Sequence, residues 1–202
     1  MLRLDHLAVT AVRLEDGVAA VEAVLGVTLT GGGRHPQMAT HNRLLGLGDI
    51  YLEVIAPDPA APSPEWPRWF DMDRFSGPPR LTNWIVASDD IAADLALAPP
   101  GTGIPVALSR GDYRWQMAVP EDGRLPFDNA HPALIQWHGL LHPARALPDA
   151  GVRLTRLEVA HPDAAGLSRA LARFSDPRVV IVPGAEKALR ATFTTPHGIR
   201  RL

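Results

Sequence analysis

The sequence predicts an α+β fold built from repeated β-α-β-β-β units, two complete and a partial third. Three observations carry this. The phrase Arg3-Leu4-Asp5-His6-Leu7-Ala8-Val9 recurs as Arg80-Leu81-Thr82-Asn83-Trp84-Ile85-Val86 and as Arg153-Leu154-Thr155-Arg156-Leu157-Glu158-Val159, and regular self-similarity marks a repeated structural unit. A run with helical apolar spacing follows each copy. The 20 prolines cluster in connections, at Pro57 to Pro67, Pro78-Pro79, Pro99-Pro100, Pro143 and Pro148. A residue without an N–H donor is expelled from strand interiors, so these clusters punctuate the units.

The first unit spans residues 1–56. Its opening strand alternates, with Leu4, His6, Ala8 and Thr10 expected on one face and Asp5, Leu7 and Val9 on the other. Val18, Val21, Val24 and Leu25 then repeat at helical spacing, and Gly26 is a candidate C-cap. Val27 to Thr30 is expected as a short strand, Gly31-Gly32-Gly33 as a turn, and Thr40 to Leu47 and Ile50 to Ala56 as strands around Gly48-Asp49. Residues 57–79 form a long connection with Trp66, Trp69 and Phe70, of a length that is usually functional or well packed. The second unit, 80–145, has a strand over Leu81 to Ala87. A helix follows over Ile91 to Ala98, with Ser88 or Asp89 as N-cap, then strands over Val106 to Arg110, Tyr113 to Val119 and Ala133 to His138. The third, 146–202, keeps a strand, a helix after His161-Pro162-Asp163, and short strands at Val179 to Val182, Leu189 to Thr195 and Ile199 to Leu202. Its edge strands could pair between subunits and make a homodimer.

Bulk composition excludes several classes. The chain is 46% hydrophobic and 21% charged, an ordinary globular balance. A net charge of −2 gives no basic patch for nucleic acid. The absence of cysteine removes disulfides, thiolate metal sites and a cysteine nucleophile. No apolar run reaches the roughly 18 residues of a membrane span, and no signal-peptide h-region is seen, so a cytoplasmic protein is expected. No G-x-S-x-G elbow supports a serine hydrolase.

Three stretches resemble a known family. They are Leu4-Asp5-His6-Leu7-Ala8-Val9, then Gly32-Gly33-Arg34-His35-Pro36 with Thr40-His41-Asn42-Arg43-Leu44 running into Tyr51-Leu52-Glu53-Val54-Ile55, and finally Leu134-Ile135-Gln136-Trp137 with His142-Pro143-Ala144. Together they resemble the glyoxalase-like domain proteins of the vicinal oxygen chelate superfamily. The resemblance implies that each unit curls into a half-barrel and that two units enclose a cavity. In such proteins a divalent metal often sits inside, held from the first and last strands of each unit.

Aligning the units pairs His6 with Asn83 and Glu53 with Gln136. The resemblance implies that the four converge. His6, Glu53 and Gln136 would then hold one zinc, nickel, manganese or iron ion, with His138 as a further nitrogen donor on the face of Gln136. Asn83 departs from the His or Glu usual there; with Gln136 it is expected to bind substrate, donating a hydrogen bond to a substrate oxygen. The alternative is a hydrogen-bonded His6–Glu53 pair in a metal-free cavity. Arg34, His35, His41 and Asn42, around the glycine-rich turn, are expected to read the substrate, with Arg34 on a carboxylate and His41 or Asn42 on a carbonyl. Strand alternation places Trp84 and Trp137 in the core, away from the Asn83 and Gln136 face. Trp66 and Trp69 either cover the cavity or pack the connection. His131, His142, His161 and His197 are read as structural or exposed. The expected function is a metal-assisted lyase or isomerase acting on a small carbonyl-containing substrate, with His6 and Glu53 catalytic. The alternative is a non-catalytic small-molecule binding or sequestering protein.

Overall fold

A computed structural model describes residues 1–202. Its first two units share one sheet. Unit one supplies β1 (Arg3–Thr10), α1 (Leu14–Leu25), β2 (Thr30–His35), β3 (Thr40–Gly46) and β4 (Tyr51–Pro57). Unit two supplies β5 (Arg80–Ala87), α2 (Ile91–Leu95), β6 (Ile104–Arg110), β7 (Tyr113–Val119) and β8 (Ala133–Trp137). The sheet runs β2-β3-β4-β1-β5-β8-β7-β6. The parallel pairs β1–β4 and β5–β8 lie inside the units, and the antiparallel pair β1–β5 joins them. The sheet curls until its edge strands β2 and β6 approach. At that seam Gly33 leaves no room for a side chain, because an added Cβ would stand 2.8 Å from Cδ of Arg110.

After α3 (Pro143–Ala146), the third unit forms a sheet of its own from β9 (Arg153–His161), β10 (Val179–Pro183), β11 (Ala188–Thr195) and β12 (Gly198–Arg201), with α4 (Ala164–Ala170) between β9 and β10. Its order is β10-β9-β11-β12. The strand after the helix therefore lies parallel beside β9, the place that β4 takes beside β1, and a hairpin fills the other side.

Alternation along the curled sheet creates two cores. Leu7, Val9, Leu52, Val54, Trp84 and Leu134 point outward and join Val21 and Leu25 of α1 and Leu157, Leu189 and Phe193 of the third sheet. Ala8, Ile55, Ile85, Ile135, Trp115 and Met117 point inward, and Trp69, Phe70 and Met72 of the connection plug them. Gly26 closes α1 with φ 72°, donating its N–H to Glu22. No helix is long and apolar enough to cross a membrane.

Three local expectations are corrected. Gly31 to Gly33 lie within β2 and are not a turn, because a register shift there lets the glycines pass close to β3. The helix of unit two ends at Leu95, and its N-cap is Asp90, whose side chain accepts from Ala93 N–H, while Ser88 Oγ accepts from Asp90 N–H. The faces of β1 are not a simple alternation. Leu4 pairs with Val86 and His6 with Ile85, so Asp5 is an extra, bulged residue. Leu4 consequently joins Leu7 and Val9 in the outer core, and the carboxylate of Asp5 turns to the ring of His6.

Candidate functional site

The inner faces of the first and second units and the end of the seam strand β6 surround a tight cavity of about 30 Å³. It is lined by His6, His35, Asn42, Tyr51, Glu53 and Arg110, and by Trp69, Phe70, Trp115, Met117, Ile135 and Trp137. One chain of hydrogen bonds and an ion-pair contact runs through its polar side. Asp5 Oδ1 lies 2.5 Å from His6 Nδ1, and His6 Nε2 lies 3.6 Å from Glu53 Oε2. Glu53 Oε1 accepts from Asn42 Nδ2 at 2.5 Å. Asn42 Oδ1 in turn accepts from Arg110 Nη1 at 3.1 Å and from Gly33 N–H at 2.8 Å. Arg110 Nη1 also stands 3.4 Å from His35 Nε2, and His35 Nδ1 stands 3.2 Å from Thr40 Oγ1.

Each position follows from strand geometry. Tyr51, Glu53 and Ile55 alternate inward on β4, and Asn42, opposite Ile55 on β3, shares their face. Tyr51, opposite His6, stacks on its ring with centroids 4.3 Å apart. Asp5 is held by two further donors from the second unit's end, Trp137 Nε1 at 2.9 Å and His142 Nε2 at 3.0 Å. His142 Nδ1 accepts from Ala144 N–H, which leaves its proton on Nε2, aimed at Asp5. Phe70 and Asp71 sit at φ 61° and 56°, and this left-handed backbone sets Trp69 and Phe70 over the cavity.

The charges organise around His6. Burial opposes an imidazolium, but hydrogen bonds to Asp5 and Glu53 outweigh it and raise the His6 pKa above its ordinary value. Burial likewise pushes the Glu53 carboxyl up, and the bonds and charge from His6, with Asn42, bring it down to about 2. Asp5 is drawn below the usual carboxylate range against the same penalty of burial, by His142 and His6. His35 is lowered to about 4, first by burial and then by Arg110, so it is neutral at physiological pH. Arg110 is the one cation in the cavity without a carboxylate partner; besides Asn42 and His35 it has the Tyr113 ring, 5.7 Å away.

The sequence-predicted residues separate into groups. His6, Glu53, His35 and Asn42 meet at this cavity. Arg34 and His41 pair across β2 and β3 but face outward; Arg34 Nε lies 3.4 Å from Asp58 Oδ2. Gln136 is an outward residue of β8 that binds the start of α2, accepting from Ile91 N–H at 2.9 Å and donating to the Asp89 carbonyl. Its pairing with Glu53 is corrected by register: Ala8 opposes Glu53, and Ala8's repeat counterpart Ile85 opposes Ala133. Asn83 opposes Ala8, so Glu53, Ala8 and Asn83 form one inward row. Both polar atoms of its fully buried amide lack a partner within the chain. Trp137 lines the cavity, against the sequence expectation, while His142 holds Asp5 as a structural histidine and Trp84 is in the outer core as expected.

His6 and Glu53 are donors suited to a divalent metal, but the surrounding residues do not fit a resident ion. No three His, Asp or Glu side chains are placed so as to hold one ion together. Gln136 is turned away, Asn42 Oδ1 is committed to Arg110 and Gly33, and a guanidinium stands in the same cavity. The His6 ring, whose charged form the two carboxylates favour, already occupies the space between them.

The chain matches the family model described as "Glyoxalase-like domain" over residues 4–174. Among solved structures, a hypothetical protein from Staphylococcus aureus superposes with a TM-score of 0.61 at 12% identity, covering 93% of this chain and 88% of that one, a likeness of fold. A methylmalonyl-CoA epimerase solved with methylmalonyl-CoA gives 0.47 at 16% identity, covering 71% and 99%, and the epimerase from Mycobacterium tuberculosis gives 0.44 at 15%, covering 68% and 88%. No curated protein sequence matches significantly. With a family match that takes in both complete units and the strand and helix of the third, the chain belongs to the glyoxalase-like domain family.

Proposed function

We propose that the cavity binds a small oxo carboxylate and moves a proton next to its carbonyl, as an isomerase or lyase does. The observation that supports this is the juxtaposition of the buried His6–Glu53 pair with the unpaired guanidinium of Arg110 in one apolar-walled space. Arg110 takes the carboxylate, with the Trp69 indole N–H, which has no partner within the chain, as a second donor. The carbonyl enters between His6 Nε2 and Glu53 Oε2. Once His6 no longer touches Glu53, burial, the largest single influence on this carboxyl, raises its pKa and makes it a competent base. Glu53 accepts the proton from carbon, the electron pair moves onto the carbonyl oxygen, and the His6 N–H stabilises that enolate oxygen. The Asn83 amide, one residue across the sheet past Ala8, offers a further donor and acceptor.

The test is proton exchange in deuterated water, followed by NMR, with short-chain 2-oxo and 3-oxo carboxylates. The parent protein is expected to catalyse exchange, and Glu53→Gln to lose about 100-fold or more of it. Saturable binding without exchange would replace this reading with the sequestering one. Exchange that appears only after zinc, nickel, manganese or ferrous iron is added would favour metal-assisted chemistry instead. Neither binding nor exchange by any member of the series would overturn the proposal.

A further inference from the structure

Lys187 is the chain's only lysine; every other basic side chain among the 20 is arginine. It stands just before β11 and reaches back across the outer core toward β5. Its Nζ donates to the Thr82 carbonyl at 2.7 Å. Thr82 is itself an extra residue in the β1–β5 ladder, opposite the step from Ala8 to Val9. That contact uses one of three ammonium hydrogens. Arg80, two residues earlier, is the second cation here. Its guanidinium lies 4.2 Å above the Phe75 ring and donates to the carbonyls of Ser76 and Pro78. Neither cation has a carboxylate partner, whereas the buried carboxylates Asp58 and Asp94 each pair with an arginine.

The two cations border a pocket of about 350 Å³ between α1, the start of β5 and β11. Its wall is apolar: Val9, Val21, Val24, Leu81, Leu189 and Leu202. No acidic side chain lines it. Burial, followed by the charge of Arg80, lowers the Lys187 pKa to about 8 against the more distant charges of Asp128 and Asp71, so the ammonium persists at neutral pH with no carboxylate in contact with it. The pocket lies on the opposite side of the sheet from the barrel cavity and shares no lining residue with it.

We propose that this pocket binds an aliphatic carboxylate. Its head group sits between Lys187 and Arg80, and its hydrocarbon tail runs along the valines of α1 and the leucines of β5 and the third sheet. Two unpaired cations call for an anion, and the apolar wall calls for a tail. The four-carbon stem of lysine extends the apolar wall while its ammonium reaches the rim, which the planar arginine fork does less well. This site is independent of the barrel chemistry.

The single lysine makes the test specific. Reductive methylation with ¹³C-formaldehyde labels Lys187 and the chain's N-terminal amine and keeps both charges. Decanoate is expected to shift the Lys187 methyl resonance saturably and to raise its titration midpoint, whereas decanol should not. In calorimetry, the series hexanoate, octanoate, decanoate should tighten about fourfold per added methylene. Lys187→Met should weaken decanoate about tenfold or more, and Arg80→Gln should weaken it as well, with unchanged thermal melts. Arg110→Met, inside the barrel, should leave it unaltered. An unmoved lysine resonance, decanol binding as tightly as decanoate, or loss of binding in Arg110→Met would each overturn the proposal, the last by placing the carboxylate in the barrel.

Discussion

Two buried neutral histidines make the fold acid-labile in a defined window. His35, in the barrel, and His131, which lies within hydrogen-bonding distance of the Pro132 carbonyl at 2.9 Å, are each lowered from 6.5 to about 4, in both cases chiefly by burial. A histidine whose folded pKa is depressed adds stability that is full above the unfolded value and is lost as pH falls toward the folded one. Between pH 6.5 and 4.5 each loses about 2 kcal/mol, so together about 4 kcal/mol, a large part of the roughly 5–15 kcal/mol that a domain possesses. The window isolates them. His6 has a raised pKa, so its contribution is already complete below pH 6.5 and is lost only as pH rises. Asp5 and Glu53 have depressed values, so theirs begins to fade only below the ordinary carboxylate range of 3.8 to 4.5. Urea titrations followed by far-UV circular dichroism at successive pH values should show unfolding taking up close to two protons near pH 5. His131→Gln, which keeps a donor for Pro132, should halve the loss to about 2 kcal/mol. A stability that is flat or rising from pH 6.5 to 4.5, or a His131→Gln slope equal to the parent's, would refute the assignment of these rings as buried and neutral.

Further outcomes follow from other contacts. Asp5→Asn removes the anion that holds His6 charged; His6 titration by ¹⁵N NMR should move down in pH, and the fold should lose about 3–5 kcal/mol because a buried partner is left uncompensated. Gly32→Ala places a Cβ 2.2 Å from the Asn42 carbonyl oxygen at φ 108°, and should cost about 1–3 kcal/mol and weaken carboxylate binding in the barrel by displacing Asn42. Trp84→Phe deletes the Nε1–H bond to the Ala130 carbonyl at 2.9 Å within the outer core, and chemical denaturation should register about 1–3 kcal/mol with no change in the His6 titration.

Much of the architecture was legible along the chain because it rests on local periodicity. The recurring phrase at Arg3, Arg80 and Arg153 marks β1, β5 and β9, and the helical spacing from Val18 to Leu25 marks the face of α1 that packs on β4. His6 and Glu53 could be proposed from one unit alone, since each lies on a strand of that unit. What failed was arithmetic that assumed unbroken ladders. Matching Leu52-Glu53-Val54 to Ile135-Gln136-Trp137 by composition missed the true register, in which Ala133 takes the place of Glu53 and Gln136 points out to α2.

The sequence by itself determined the units, their order, the apolar stripes and the His6, Asn42 and Glu53 inventory, because hydrophobic alternation and repeat spacing are properties of neighbours in the chain. Only the tertiary structure decided which side chains meet. The bulge at Asp5 turns that carboxylate onto His6, and curling of the sheet brings β6 against β2, so that Arg110 takes the place expected for Arg34. Closure of the sheet likewise carries Trp137 and His142 to Asp5. A bulge changes face by one residue and barrel closure joins strands far apart in sequence; both are set by the packing of the whole sheet, so no local pattern encodes them.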